Sequence, residues 1–228
     1  MFILFDADCI SQGRNLMKID DLKTHYRQRR PEIRARLEEF RQLYGQGDLA
    51  IFKELCFCIL TANTSAKMGI TCIEAAGDEI LTADLEGLQG VLCGRYRFWK
   101  VRPAYIIHTR DYLMRETGFR IKDKIESLTD FHERRDFFAA NPGIKGIGYK
   151  EASHFLRNIG FKGYTILDKH IVNLLFELGV LDEPRKPANK KQYIAIEKRM
   201  KEFAKDIKID IDELDLALWS YKTGVVLK

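Results

Sequence analysis

The chain has 228 residues, 46% of them hydrophobic and 31% charged, a balance that suits a water-soluble protein of one large domain or two small ones with a sizeable core. Lys and Arg number 38 against 33 Asp and Glu, a net charge of +5, which fits a polyanionic partner without requiring one. No apolar run approaches the 18 or so residues of a membrane span, and the opening MFILFDADC lacks the basic start and long apolar core of a secretory signal, so a cytoplasmic protein with no membrane partner is expected.

In chain order, ILFDADC places Asp6 and Asp8 after an apolar run, a pattern similar to the nucleophile motif of haloacid-dehalogenase-type phosphatases. That motif needs a parallel sheet behind it, and the rest of the chain offers helices. Residues 1–29 are therefore expected to be an N-terminal extension with a first helix, and residues 30–228 the main domain. RPEIRARLEEFRQLYGQG has Pro31 near a helix start and Gly45 past its end, with Ile33, Leu37, Phe40 and Leu43 on one stripe. DLAIFKELCFCILTANTSAKMGITCIEAAGDEI reads as two buried helices, apolar nearly all round over 55–60. ADLEGLQGVL is a short helix opened by Asp84, and RPAYIIHTRDYLMRETG stops at Gly118. TDFHERRDFFAANPG starts at a Thr129 or Asp130 cap and stops before Pro142. A glycine loop leads to a helix over Tyr149–Asn158, ended by Gly160. ILDKHIVNLLFELGV is capped by Asp168, and NKKQYIAIEKRMKEFAKDI and DIDELDLALWSYKTG complete the chain. No segment alternates as a strand. The pattern predicts an all-α protein of about ten helices, in two helical lobes around a cleft.

Cys9, Cys56, Cys58, Cys72 and Cys93 include no C-x-x-C pair. Reduced, mostly buried thiols are expected, with no metal site and no iron–sulfur cluster.

The stretch NPGIKGIGYKEASHFLRNIG, residues 141–160, breaks one helix, crosses a tight loop and restarts with a lysine in the first turn. Gly146 and Gly148 allow positive φ and close backbone approach, and free N–H groups at the helix start attract phosphate. Two helices joined in this way, over about 131–160, form a helix-hairpin-helix unit. Such a unit grips a DNA backbone through amides, often with a monovalent cation on hairpin carbonyls. An ordinary αα-corner also uses glycine, so the glycines alone leave both readings open.

Lys150 narrows the choice. Ala152, Phe155, Leu156 and Ile159 form the apolar face of the helix, leaving Lys150, His154 and Arg157 on another. The positive end of the helix dipole disfavours an ammonium at Lys150, and a protonated His154 would repel it. Both effects, with burial in a cleft, favour the neutral amine that acts as a nucleophile. The alternative is a surface lysine that binds phosphate. Asp168 follows 18 residues later. It is an N-cap, and after one helix and a short loop its carboxylate can also return to face the hairpin. An amine and a carboxylate together suit the breaking of an N-glycosidic bond: the amine attacks C1′ while the carboxylate stabilises the oxocarbenium-like sugar and handles protons.

IKGIGYKEASHFLRNIG and the aspartate of ILDKHI resemble the helix-hairpin-helix DNA glycosylases. With FKELCFCILTANTSA, RYRFWKVRPAYI and the terminal LDLALWSYKTGVVLK, the resemblance narrows to the archaeal-type second family of 8-oxoguanine DNA glycosylase/AP lyases, over roughly 30–228. The hairpin identifies the superfamily; the terminal block is the more specific part. The resemblance implies Lys150 as the Schiff-base nucleophile and Asp168 as the catalytic aspartate. It implies Phe98 and Trp219 as the faces that sandwich a flipped base, and Lys228, with a terminal carboxylate at the pocket, as a discriminator of 8-oxoguanine from guanine. Gly146 and Gly148 would hold the DNA backbone. The implied partner is damaged double-stranded DNA, the protein acting as a monomer, nucleoid-associated when bound, with no cofactor beyond the hairpin cation. Lys145 departs from the proline of many relatives in the superfamily, and residues before about Arg30 fit the family poorly.

Physical chemistry agrees in outline. A glycosylase extrudes its base and holds it by stacking and edge hydrogen bonds, and Phe98 and Trp219 offer flat faces, as core aromatics also would. 8-Oxoguanine has an N7–H donor where guanine has an acceptor, so a pocket acceptor there separates the two by roughly 1–3 kcal/mol. The apolar run Val225-Val226-Leu227 predicts a tail packed inside, beside Trp219. Two rivals remain: a glycosylase/lyase for another oxidised base, which the terminal block disfavours, and a non-catalytic DNA-binding module, which has no need of a lysine and carboxylate pair.

Overall fold

A computed structural model describes residues 18–228; Asp6, Asp8 and Cys9 lie outside the described residues. The chain forms α1 (Ile19–Tyr44), α2 (Asp48–Thr61), α3 (Ala66–Ala76), α4 (Leu85–Leu92), α5 (Arg102–Thr117), α6 (Ile121–Ser127), α7 (Phe131–Ala139), α8 (Tyr149–Asn158), α9 (Lys169–Glu177), α10 (Lys190–Asp206) and α11 (Ile211–Thr223). A 3₁₀ turn at Gly77–Leu81 follows α3, and there is no strand among the described residues. No described helix is long and apolar enough to cross a membrane.

Two cores make two lobes. Helix α2 is apolar on every side over 55–60, and Phe52, Leu55, Phe57 and Leu60 bury themselves among α3 to α8. The second core gathers α1, α9, α10 and α11 around Phe40, Leu174, Met200, Leu214 and Leu218. Helix α8 belongs to both: Phe155 and Leu156 enter the first core, while Tyr149 packs on the second. The sequence caps Asp84, Asp130 and Asp168 each accept amides of the following turn, and Asp210 does the same for α11.

The boundary predicted between residues 29 and 30 is not a structural one. Helix α1 starts at Ile19 and runs straight through it, with Pro31 inside. Pro31 has no N–H to return to the Arg27 carbonyl and would ordinarily disfavour the helix by about 3 kcal/mol. Tertiary ties on both sides of it oppose that cost. His25 Nε2 pairs with Ser220 Oγ at 2.8 Å, the Tyr26 hydroxyl donates to Glu213, and Arg34 Nε donates to Glu213 at 2.8 Å. Helix α6 escapes the sequence reading because it buries only Ile121 and Ile125, too few for a period.

Helix α7 is fastened to α10 inside the protein. Arg135 Nη1 donates to Glu197 Oε1 at 2.8 Å and its Nη2 to Oε2 at 3.1 Å, both residues being buried. The guanidinium is ringed by Phe131, Tyr149, Tyr164 and Tyr193, at 5.2 to 5.9 Å from their centres. Burial this complete strengthens the attraction but makes an unpartnered charge intolerable. Glu197→Ala is therefore expected to lose about 3–5 kcal/mol of stability in urea unfolding, and Arg135→Met combined with Glu197→Leu to recover most of it.

Candidate active site

The loop between α7 and α8 is built on one face of α5. Arg102 Nη1 donates to the Gly146 carbonyl at 3.2 Å, His108 Nε2 meets the Pro142 carbonyl at 3.1 Å, and Thr109 Oγ1 accepts the Lys145 amide at 3.0 Å. The Tyr112 hydroxyl accepts from Asn141 at 2.8 Å. These residues recur at helical spacing, so one straight rod sets the path of the whole loop. The fit is close: Gly146 has φ +78°, and a Cβ there would meet Arg102 and Tyr105 at 2.7 Å. The amides of Gly146 and Ile147 have no partner among the described residues. The Gly148 amide is already engaged by Glu151 Oε2 at 3.3 Å.

Lys150 is the second residue of α8. Its Nζ lies 3.0 Å from Glu151 Oε1, so one carboxylate joins the amine to the Gly148 amide. Asp168 caps α9 by accepting the Ile171 amide on Oδ1 at 2.8 Å, and its Oδ2 has no partner among the described residues. Lys150, Asp168, Trp219 and Lys228 all line one cavity of about 470 Å³ between the lobes. Its floor is the polar face of α8, His154 and Arg157.

That floor is not the free face its helical spacing suggests. Arg157 is buried and donates to Asp215 Oδ2 at 3.1 Å, while Asp215 Oδ1 accepts the Ile166 amide at 2.9 Å. Burial raises the Asp215 carboxyl to about 6, against the opposing pull of Arg157. Arg157 Nε donates to Asn158, Asn158 Nδ2 to Glu54 Oε1 at 2.7 Å, and Lys228 Nζ to Glu54 Oε2 at 2.7 Å. The chain of charges ends at the tail.

The family model described as 8-oxoguanine DNA glycosylase matches residues 33–209. The chain belongs to the 8-oxoguanine DNA glycosylase family. It is 38% identical over 214 residues to the 8-oxoguanine DNA glycosylase/AP lyase of Methanocaldococcus jannaschii, covering 93% of this chain and 99% of that protein. The protein of the same name from Fusobacterium nucleatum is 35% identical, over 92% of this chain and 97% of its own. The M. jannaschii 8-oxoguanine glycosylase/lyase crystallised with a 15mer DNA containing 8-oxoguanine superimposes with a TM-score of 0.82 at 37% identity, covering 91% of this chain and 99% of that one.

Within this 8-oxoguanine DNA glycosylase fold, the sequence-predicted residues separate into two sets. Lys150, Asp168, Trp219 and Lys228 come together, with Gly146 and Gly148 on the hairpin beside them. Phe98 does not join them in the cavity walls. It is half-buried, with the Arg97 guanidinium 4.3 Å over its ring and Arg97 in turn bound to the Asn63 carbonyl. The tail is packed by one residue rather than three: Val226 is buried, Leu227 half-buried and Val225 exposed. Glu151, Asp215 and Glu54 were missed, although each left a signal. Glu151 is three residues after the cap Gly148, the position of a capping-box glutamate. Asp215 is one turn before Trp219, and Glu54 directly precedes the apolar run 55–60 of α2.

His154 corrects one expectation. Burial, followed by the charges of Arg157, Lys150 and Lys228, holds its imidazole well below the ordinary value of 6.5. It is neutral at pH 7 and cannot repel the Lys150 ammonium as a cation. Its Nε2 is sealed from solvent without a partner, and its ring meets Phe57 edge-on at 5.5 Å. Below pH 6.5 the unfolded chain takes up a proton that the folded chain refuses, so stability from His154 is full above that pH and lost as pH falls. Thermal unfolding between about pH 8 and pH 5 should show the stability margin of wild type over His154→Gln shrinking on the acid side only.

Proposed function

We propose that this protein is a bifunctional DNA repair enzyme that excises 8-oxoguanine from double-stranded DNA and cleaves the strand at the resulting abasic site. The observation that carries the reading is the meeting of Lys150 and Asp168 with Trp219 and Lys228 in one cavity beside the hairpin, in a chain of this family. The unpartnered amides of Gly146 and Ile147 suit a backbone phosphate at a helix start. The carbonyls of Ile144 and Ile147, which accept no hydrogen bond among the described residues, suit a monovalent cation that would draw phosphate to the same loop.

The chemistry follows from the two groups. A flipped nucleotide enters the cavity with its base against Trp219. Lys150, once deprotonated, gives its lone pair to C1′ as the N-glycosidic bond breaks; the bonding pair leaves with the base, which takes up a proton. Asp168 faces the positive charge that develops on the sugar and stabilises it. Loss of the ring C–O bond gives a Schiff base between Lys150 and C1′. Removal of a C2′ proton then expels the 3′ phosphate by β-elimination. Lys228 discriminates the lesion from guanine at the base end. Phe98 supplies the second stacking face when Arg97 moves off its ring.

Lys150→Gln should abolish base release and borohydride trapping on 8-oxoguanine duplexes while leaving DNA affinity within about threefold in a filter-binding or anisotropy titration. Undiminished trapping would place the nucleophile elsewhere, and a wild-type protein that traps only on oxidised pyrimidines would assign the cavity to another lesion. Asp168→Asn keeps an N-cap side chain, so its melting temperature should hold while single-turnover excision falls by about 100-fold or more. Retained excision with a lowered melting temperature would leave Asp168 as a cap alone.

A further inference from the structure

Of the buried carboxylates that the reaction does not use, Glu54 is the one that holds the tail. Glu54 stands mid-way along α2, among Leu55, Cys56 and Phe57, and is 2% exposed. A carboxylate held there is tolerated only when its oxygens are met. Both are: Asn158 Nδ2 serves Oε1 at 2.7 Å, and Lys228 Nζ serves Oε2 at 2.7 Å. The Lys228 ammonium also lies 4.5 Å from the centre of the Phe57 ring. Besides this clamp, residues 225–228 are held by the burial of Val226 and by the Thr223 hydroxyl, which donates to the Val225 carbonyl at 3.2 Å. Leu227 and Lys228 form part of the cavity wall, whereas Glu54 does not.

We propose that Glu54 is a positioning residue for lesion recognition: by clamping the Lys228 ammonium it holds residues 225–228 as a fixed wall of the base cavity. The inference rests on the reading of that cavity as the site of the flipped base. Glu54 acts through Lys228 and never touches the base. Its second oxygen ties the same clamp to α8 through Asn158, so the wall that meets the base and the helix that carries Lys150 are registered on one carboxylate. An abasic nucleotide presents no base to that wall, which makes it the internal control.

The test compares single-turnover excision of 8-oxoguanine with cleavage of a preformed abasic site for wild type, Glu54→Gln, Lys228→Met and the double variant. Glu54→Gln should lower the ratio of excision to cleavage about tenfold, Lys228→Met should do the same, and the double variant should fall no further. Hydrogen exchange followed by mass spectrometry should show faster exchange of residues 218–228 in Glu54→Gln, with α10 unaltered. An unchanged ratio in Glu54→Gln, losses that multiply in the double variant, or equal loss on both substrates with faster exchange throughout would overturn the clamp. A Lys228→Met variant with an unchanged ratio would remove the base-site reading itself and the role of Glu54 with it. If Glu54→Gln fails to fold, Glu54→Asp, which keeps the charge but withdraws it by one methylene, is measured in its place with the same outcomes.

Discussion

The geometry of the cavity depends on one buried line of charges: Asp215 to Arg157, Arg157 to Asn158, Asn158 to Glu54 and Glu54 to Lys228. Moving such groups out of water costs several kcal/mol for each ion, and their mutual attraction offsets this only when nearly every oxygen and N–H is met. Here the carboxylate oxygens are met: the second Asp215 oxygen takes the Ile166 amide, and the two Glu54 oxygens take different partners. An apolar core tolerates sliding, because hydrophobic attraction has no direction. A hydrogen-bonded line does not. It links α2, α8, α11 and the tail, and these elements supply much of the cavity wall.

The Ile166 amide gives that line a second consequence. Ile166 lies two residues before Asp168, on the short connection from α8 to α9. Asp215 therefore fixes the approach of the segment that delivers the carboxylate, while Arg157, on the other side of the pair, lies two turns along α8 from Lys150. The amine and the carboxylate are both set by the Arg157–Asp215 pair, from opposite ends. Helix α5 performs the matching task for the hairpin, holding its loop through Arg102, Thr109 and Tyr112. The loop amides proposed to meet a phosphate are thus placed by a helix that has no part in the proposed chemistry.

Much of this was legible in the sequence because short-range rules sufficed. Caps at Asp84, Asp130 and Asp168 and stops at Gly118 and Gly224 involve residues within a turn of one another, and the structure keeps them. Lys150 and Asp168 could be paired because one helix and a short loop separate them. What failed involved distant partners. Pro31 reads as a helix start until His25 and Tyr26 find α11, nearly the whole chain away. Arg157 reads as part of a free polar face until Asp215 is brought to it. Phe98 and Trp219 both read as flat aromatic surfaces, and only packing separates the one in the cavity from the one beneath Arg97.

Helix α8 shows why chemistry and stability are hard to separate here. Phe155 and Leu156 on its apolar side are fully buried in the first core, and Tyr149 at its start leans on the second. Its other side carries Lys150, the unpartnered His154 nitrogen and the Arg157 pair. Lys150, the proposed nucleophile, stands on a helix wedged between two cores and has little freedom to drift. That matters because a displacement of about 1 Å at a reacting group can cost on the order of 100-fold in rate. The resting lysine is held further, by a Glu151 carboxylate that also takes the Gly148 amide. Sequence-adjacent residues thereby connect the hairpin, proposed to hold the DNA backbone, with the amine proposed to attack the sugar, and one helical turn is enough to bring the two proposed roles into contact.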